Sequence, residues 1–160
     1  MMISPPLDDC SLMKMALEEA KIAAKENEVP IGAVLVIGTR NYRDHNRVIQ
    51  KSDPTAHAEV EVIRKAANEM GNYRLTESTL YVTIEPCLMC VGAIIHARIN
   101  RLIYAARDER YGAVESLIRV FDLGLNHKPE IASGILAEEC SNLIKRFFKS
   151  KRRGEVPKWL

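Results

Sequence analysis

His57-Ala58-Glu59 and, after 26 intervening residues, Pro86-Cys87-Leu88-Met89-Cys90 assemble one imidazole, two thiols and one carboxylate. His57, Cys87 and Cys90 are the expected ligands of one Zn2+ per chain. Three protein ligands leave a fourth position open, which marks a catalytic zinc; a structural site closes its shell with four. Glu59 is not needed as a ligand, and a spare carboxylate beside an open metal position suits the activation of water. The expected role of Glu59 is therefore general acid and base. The other reading of Glu59 is a side chain that only orients a ligand.

Cys-x-x-Cys also occurs in redox pairs and zinc ribbons. A redox pair would have no use for His57 and Glu59. An all-cysteine structural site needs a second close pair, and the remaining cysteines, Cys10 and Cys140, stand alone and far apart.

The spacing dictates where these residues must sit. Cys87 and Cys90 are three apart, so on a helix both rise from one face. In the first turn of that helix the dipole and the free N–H groups favour thiolates. His57 and Glu59 are two apart and diverge in mid-helix, so they converge on one cavity only at a helix start. Asp53-Pro54-Thr55 is the expected start. Two helix N-termini would then meet at the carboxyl ends of sheet strands, the place where open α/β sheets bind ligands.

The surrounding elements fit that plan. Asp8 or Asp9 caps a first helix running to about Asn27, with apolar residues at helical spacing. Val29–Ile37 reads as a buried strand and Asn41–Asn46 as a weak, polar one. The helix that starts at Asp53-Pro54-Thr55 ends at Gly71, a good residue past a helix end. Leu80–Ile84 is a central strand, followed by a helix from about Pro86 to Ala97 and a strand over Arg101–Ala106. Two further helices are expected near Val114–Asp122 and Ala137–Lys151. Nearly continuous apolar strands alternating with helices predict an α/β fold: three α/β/α layers around a mixed, mainly parallel sheet of about five strands.

The 160 residues form a single domain, long enough to bury a core without disulfides. Two of four cysteines committed to metal suggest a reducing cytosol, hence a cytoplasmic protein. The start, Met1 to Asp9, lacks the pattern of a signal peptide. The longest apolar run, Val29–Ile37, is too short for a bilayer, which needs about 20 residues. Net charge is only +2, but Lys145 to Arg153 holds six basic residues and no acidic one. That segment reads either as a solvated helix end that suits the dipole or as a contact for a polyanion. The Pro86–Ala97 helix is apolar all round through Leu88, Met89, Val91, Ala93, Ile94 and Ile95. Such a helix must be covered on every side, which predicts a homodimer.

His-x-Glu followed by Pro-Cys-x-x-Cys is the signature of zinc nucleobase deaminases. A longer string adds to it: Asn46, Asp53–Glu59, Asn72-Tyr73-Arg74-Leu75, Leu80–Thr83, Glu85–Cys90, Gly92–His96 and Ala106-Arg107-Asp108. From about Val29 to Arg153 the chain resembles the bacterial tRNA-specific adenosine deaminases, of the cytidine deaminase-like superfamily. The resemblance implies hydrolytic deamination of the wobble adenosine of a tRNA anticodon stem-loop to inosine, with release of ammonia. It also implies a substrate-binding set of Asn46, Pro30, Ile31, Ala58, Asp108, Asn126, Phe147, Phe148 and Arg152, and a homodimer. Asn46 would hold the target base, with Pro30 and Ile31 as its apolar walls. Phe147, Phe148 and Arg152 would meet the anticodon loop. A turn role for Asn46, a cap for Asp108 and core packing for the phenylalanines are the other readings. The segment Gly38–His45 departs from the family in being more polar and one residue shorter, and Tyr111 and Glu115 stand where small residues are expected. The rival functions are a deaminase of a free base or nucleoside (cytosine, cytidine or guanine) and a non-enzymatic zinc module.

Overall fold

The computed structural model describes residues 7–153; residues 1–6, most of the stretch read above for a signal peptide, lie outside the described residues. Five strands form one sheet in the order β2-β1-β3-β4-β5: β1 (Gly32–Ile37), β2 (Arg40–His45), β3 (Ser78–Ile84), β4 (Arg101–Ala106) and β5 (Glu130–Ser133). β1 is antiparallel to both β2 and β3, while β3–β4 and β4–β5 are parallel. Four strands thus point one way and only β1 runs against them. Its reversal follows from the short turn to β2, which carries Gly38 at φ +57° in the left-handed region.

Side chains alternate across the sheet and build two cores. Ala33, Leu35, Leu80, Val82, Leu102 and Tyr104 face α3 (Ala58–Met70) and α4 (Leu88–Ala97), meeting Val62, Ala66, Val91 and Ile94. Val34, Tyr81, Ile103 and Ala105 face the other way, onto α1 (Asp9–Lys25) and α5 (Ala137–Arg152), meeting Met13, Ala16 and Cys140. The result is the expected three-layer α/β/α arrangement. α1 lies so close to β1 that a Cβ on Gly32 would come within 2.0 Å of the Ala16 carbonyl oxygen.

Some expected features are present as read, and other boundaries and elements differ. Asp8 does cap α1, its carboxylate accepting from the Ser11 amide at 2.7 Å. The polar segment after Gly38 is a true strand, because β2 lies at the sheet edge. There Arg43, Asp44 and His45 bond to α1 and α3 rather than needing an apolar cover. A short helix, α2 (Val48–Lys51), was not anticipated. α3 begins three residues after Thr55, since the Asp53 carboxylate takes the Thr55 amide and hydroxyl and makes a turn first.

The helix expected near Val114–Asp122 is absent. Turns replace it, with a single 3₁₀ turn at Val120–Asp122. The amides of Ala113 to Ser116 bond across the fold to Pro86 and Glu85, so they are not available to a helix. The fifth strand, β5, is too short and polar to have stood out.

Candidate active site

Asn46, His57 and Glu59 come to one place because two loops cross there. The Asn46 amide donates to the Ile31 carbonyl at 3.1 Å, and its side-chain Oδ1 accepts from the Ala58 amide at 2.8 Å. That bond satisfies one of the orphan donors at the α3 N-terminus. His57 is the residue before α3, extended at φ −75° and ψ 154°, so its ring points off the helix end. Glu59, in the first turn, turns back toward the same cavity and is 2% exposed.

α4 enters from the other side. Cys87 precedes its first residue and Cys90 lies in its first turn. His57 Nδ1 is 3.6 Å from Cys87 Sγ and 3.5 Å from Cys90 Sγ. Zinc bonds of about 2.0 Å to nitrogen and about 2.3 Å to sulfur, held at a tetrahedral angle, separate their ligand atoms by about 3.6 Å. The three side chains therefore fit a zinc ion, and their ligand atoms all lie within 4.8 Å of one another.

The electrostatics of Cys87, Cys90 and Glu59 depart from those of free side chains. The hydrogen bond from Cys90 holds Cys87 down at about 4, against burial and with help from His57. The same bond, with burial, pushes the Cys90 thiol far up. Burial pushes Glu59 up to about 7. A carboxyl poised near neutrality can both take and return a proton at physiological pH. Its Oε2 is buried with no hydrogen-bond partner among the described residues. Such an orphan is costly in a finished core and suits a group waiting for water or substrate.

Of the predicted substrate residues, Asn46 is bonded to both Ile31 and Ala58 at the α3 N-terminus, and Pro30 and Ala58 are buried. Asp108 lies on the α4 side, where its carboxylate accepts from the Arg110 and Tyr111 amides and shapes a turn. Phe148 and Arg152 share a surface pocket with Arg110, Ile144, Lys145 and Lys151. Phe147 is half-buried, packed edge-on against Phe148 with centroids 5.5 Å apart. Asn126 is not brought to the cavity within one chain. It accepts from Arg98 at the opposite end of α4, a helix of 10 residues and so about 15 Å long.

Sequence reasoning noted Tyr111 only as a departure and gave no role to it, Leu117 or Ile118, which line a second pocket with Cys87, Leu88 and Met89. It also gave Glu85 no role, although this buried carboxylate organises the whole segment that carries them. Only the placement of an acid directly before Pro86-Cys87 could have drawn attention to it.

A sequence model of the MafB19-like deaminase family matches residues 7–152. The chain is 49% identical to a tRNA-specific adenosine deaminase of Haemophilus influenzae, over 90% of this chain and 85% of that one. It is 47% identical to a tRNA-specific adenosine deaminase of Agrobacterium fabrum, over 88% and 93%. A solved structure from a study of A-to-I editing by tRNA:A34 deaminases at the wobble position superposes with a TM-score of 0.81. It shares 47% identity and covers 82% of this chain and 97% of its own.

Proposed function

This chain belongs to the MafB19-like deaminases and to the tRNA-specific adenosine deaminases, and on that premise we propose how its own residues perform the reaction. The substrate is the wobble adenosine of a tRNA anticodon, and the reaction is adenosine plus water to inosine plus ammonia. His57, Cys87 and Cys90 hold one zinc ion, which when bound supplies a water acidic enough to ionise near neutral pH. The observation that carries the reading is Glu59: buried, unpartnered at Oε2, and beside three ligand atoms at zinc spacing.

Glu59 takes the proton from the attacking water and passes it to the ring nitrogen next to the amino-bearing carbon. That carbon becomes electrophilic and accepts the oxygen. Glu59 then takes up the remaining hydroxyl proton and gives it to the amino group, which leaves as ammonia. Asn46 orients the base. Its Oδ1 is committed to the Ala58 amide, which leaves its Nδ2 donor for an acceptor on the purine. Pro30 and Ile31 shut out water beside it, and Asp108 shapes the opposite lip.

The α5 end binds the stem-loop. Arg110, Lys145, Lys151 and Arg152 surround Phe148, which is 44% exposed, so phosphate contacts and a stacking face lie side by side. An exposed aromatic among cations favours the RNA reading of this helix end over a solvated one. The chain acts as a homodimer. Ala93 is half-covered along α4, and Gly92 has open space beside it. No helix among the described residues is long and apolar enough to cross a membrane, and the four cysteines are free, as in a reducing cytoplasm.

Competition decides between this substrate and a free base or nucleoside. Zinc-loaded protein given equal concentrations of a wobble-adenosine stem-loop, cytidine, cytosine and guanine should consume the stem-loop first. A tenfold preference for any small substrate would overturn the reading.

A further inference from the structure

Glu85 ends up buried at the close of β3, one residue before Pro86-Cys87, and takes no part in the chemistry described above. Its carboxylate is surrounded by donors. Oε1 accepts from the Asp108 amide at 3.1 Å and from the Ser116 hydroxyl. Oε2 accepts from the amides of Val114, Glu115 and Ser116 at 3.1, 2.9 and 3.0 Å. The neighbouring Pro86 carbonyl accepts from Ala113 at 2.9 Å. Two consecutive residues thus gather five amides from a segment 23 to 31 positions away. Burial pushes the Glu85 carboxyl up, but the Glu115 and Ser116 amides, the Ser116 hydroxyl and the Asp108 amide outweigh it and hold it below its ordinary range.

The fit is tight on both sides. A Cβ on Gly112 would lie 2.4 Å from the Glu85 carboxyl carbon and 2.5 Å from the Asp108 carbonyl oxygen, so no side chain is accommodated there. The segment held in this way carries Tyr111, Leu117 and Ile118, which form one pocket wall facing Cys87, Leu88 and Met89. It also carries Arg110, which joins Phe148 and Arg152 in the basic pocket.

We propose that Glu85 is a positioning residue for the RNA: it clamps the 107–118 segment onto the start of α4, and so sets the distance between Cys87 and the side chains that receive the nucleotides around the target base. The inference rests on the wobble-adenosine reading above. A carboxylate is required because only an acceptor with two oxygens can serve five donors. An amide offers one oxygen and turns two N–H donors toward amides that also donate. Side chains that touch the substrate equally in its ground and transition states change KM and leave kcat alone.

The test uses the full, zinc-loaded chain with Glu85→Gln, and separately Gly112→Ala, which displaces the same segment while leaving the carboxylate in place. Both variants should keep about one zinc per chain and a kcat within twofold of the original. Both should raise KM for the anticodon stem-loop about tenfold, and the amides of Asp108, Val114, Glu115 and Ser116 should exchange hydrogen faster while those of β3 do not. Unchanged KM in Glu85→Gln would overturn the proposal. So would lost zinc, which would make Glu85 a support for the metal site, or a fallen kcat at constant KM, which would place it in the chemistry. If the unaltered chain itself fails to deaminate the stem-loop, the functional reading fails instead; the exchange pattern still decides whether Glu85 clamps the segment.

Discussion

In the proposed reaction Glu59 carries the proton and His57, Cys87 and Cys90 carry the metal, so the two roles should separate by substitution. Glu59→Gln removes no ligand. Its zinc content should stay near one per chain while turnover falls about 10²- to 10⁴-fold, the range typical of general acid–base groups. Loss of zinc, read by metal analysis, would make Glu59 a ligand and break the assignment. Cys87→Ala should lose the metal and lower the melting temperature, because metal binding is coupled to folding. That His57, Cys87 and Cys90 meet was legible in the sequence because type and spacing carry it: three possible ligands fall within 34 positions, and their ligand atoms do converge. Glu85 was not legible. Its significance lies in amides that approach from 23 to 31 residues downstream, and an amide leaves no mark on residue type.

Elements that rest on apolar periodicity were found at nearly their true bounds, and β4 at the bounds observed, Arg101–Ala106. The misreadings fall where polar bonds override local pattern. The expected helix at Val114–Asp122 gives way to the Glu85 clamp, whereas the second strand, expected as a weak one, does form and is held by charge. In β2, Asp44 is buried against Lys65 Nζ at 2.8 Å, Arg47 Nε at 2.7 Å and the His45 amide at 2.8 Å. Burial raises its carboxyl, but these partners outweigh it and hold its pKa below the ordinary value. A depressed folded pKa means stability that is present above the unfolded value of about 3.9 and lost as pH falls through the folded one. Resistance to denaturant should therefore weaken below about pH 4. Asp44→Asn should flatten that decline and cost about 2 kcal/mol at pH 7, since hydrogen bonds to a charged group are lost. An unaltered decline in the variant would assign the acid sensitivity elsewhere. α1 packs onto β1 at Gly32, so Gly32→Ala should cost about 1–3 kcal/mol by overpacking, read as a lower denaturation midpoint. A midpoint equal to the original would mean that α1 can yield.

At the scale of the whole molecule, the sheet brings two helix N-termini together, and α5, in the opposite layer, brings its basic end to Arg110 of the segment after β4. Deleting the residues after Phe148 removes Lys151 and Arg152 from that end. KM for the stem-loop should rise, and the log–log salt dependence should flatten by roughly 0.7 for each phosphate no longer neutralised, while the zinc content holds. A solvated helix end would change neither. The exposed side of α4 predicts a mass near twice 18.0 kDa by light scattering at micromolar concentration, and a monomer mass would rule out the dimer. Deamination of a wobble adenosine by Glu59, beside a His57–Cys87–Cys90 metal centre, is tested most directly in a single turnover. Zinc-loaded protein is mixed with an anticodon stem-loop carrying that adenosine, and the products are read by nucleoside analysis and ammonia release. One inosine at the wobble position and one ammonia per active chain are expected, with Glu59→Gln retaining zinc and forming neither at a comparable rate. An unchanged adenosine with zinc in place, or inosine formed equally by the Glu59→Gln chain, would contradict the assignment.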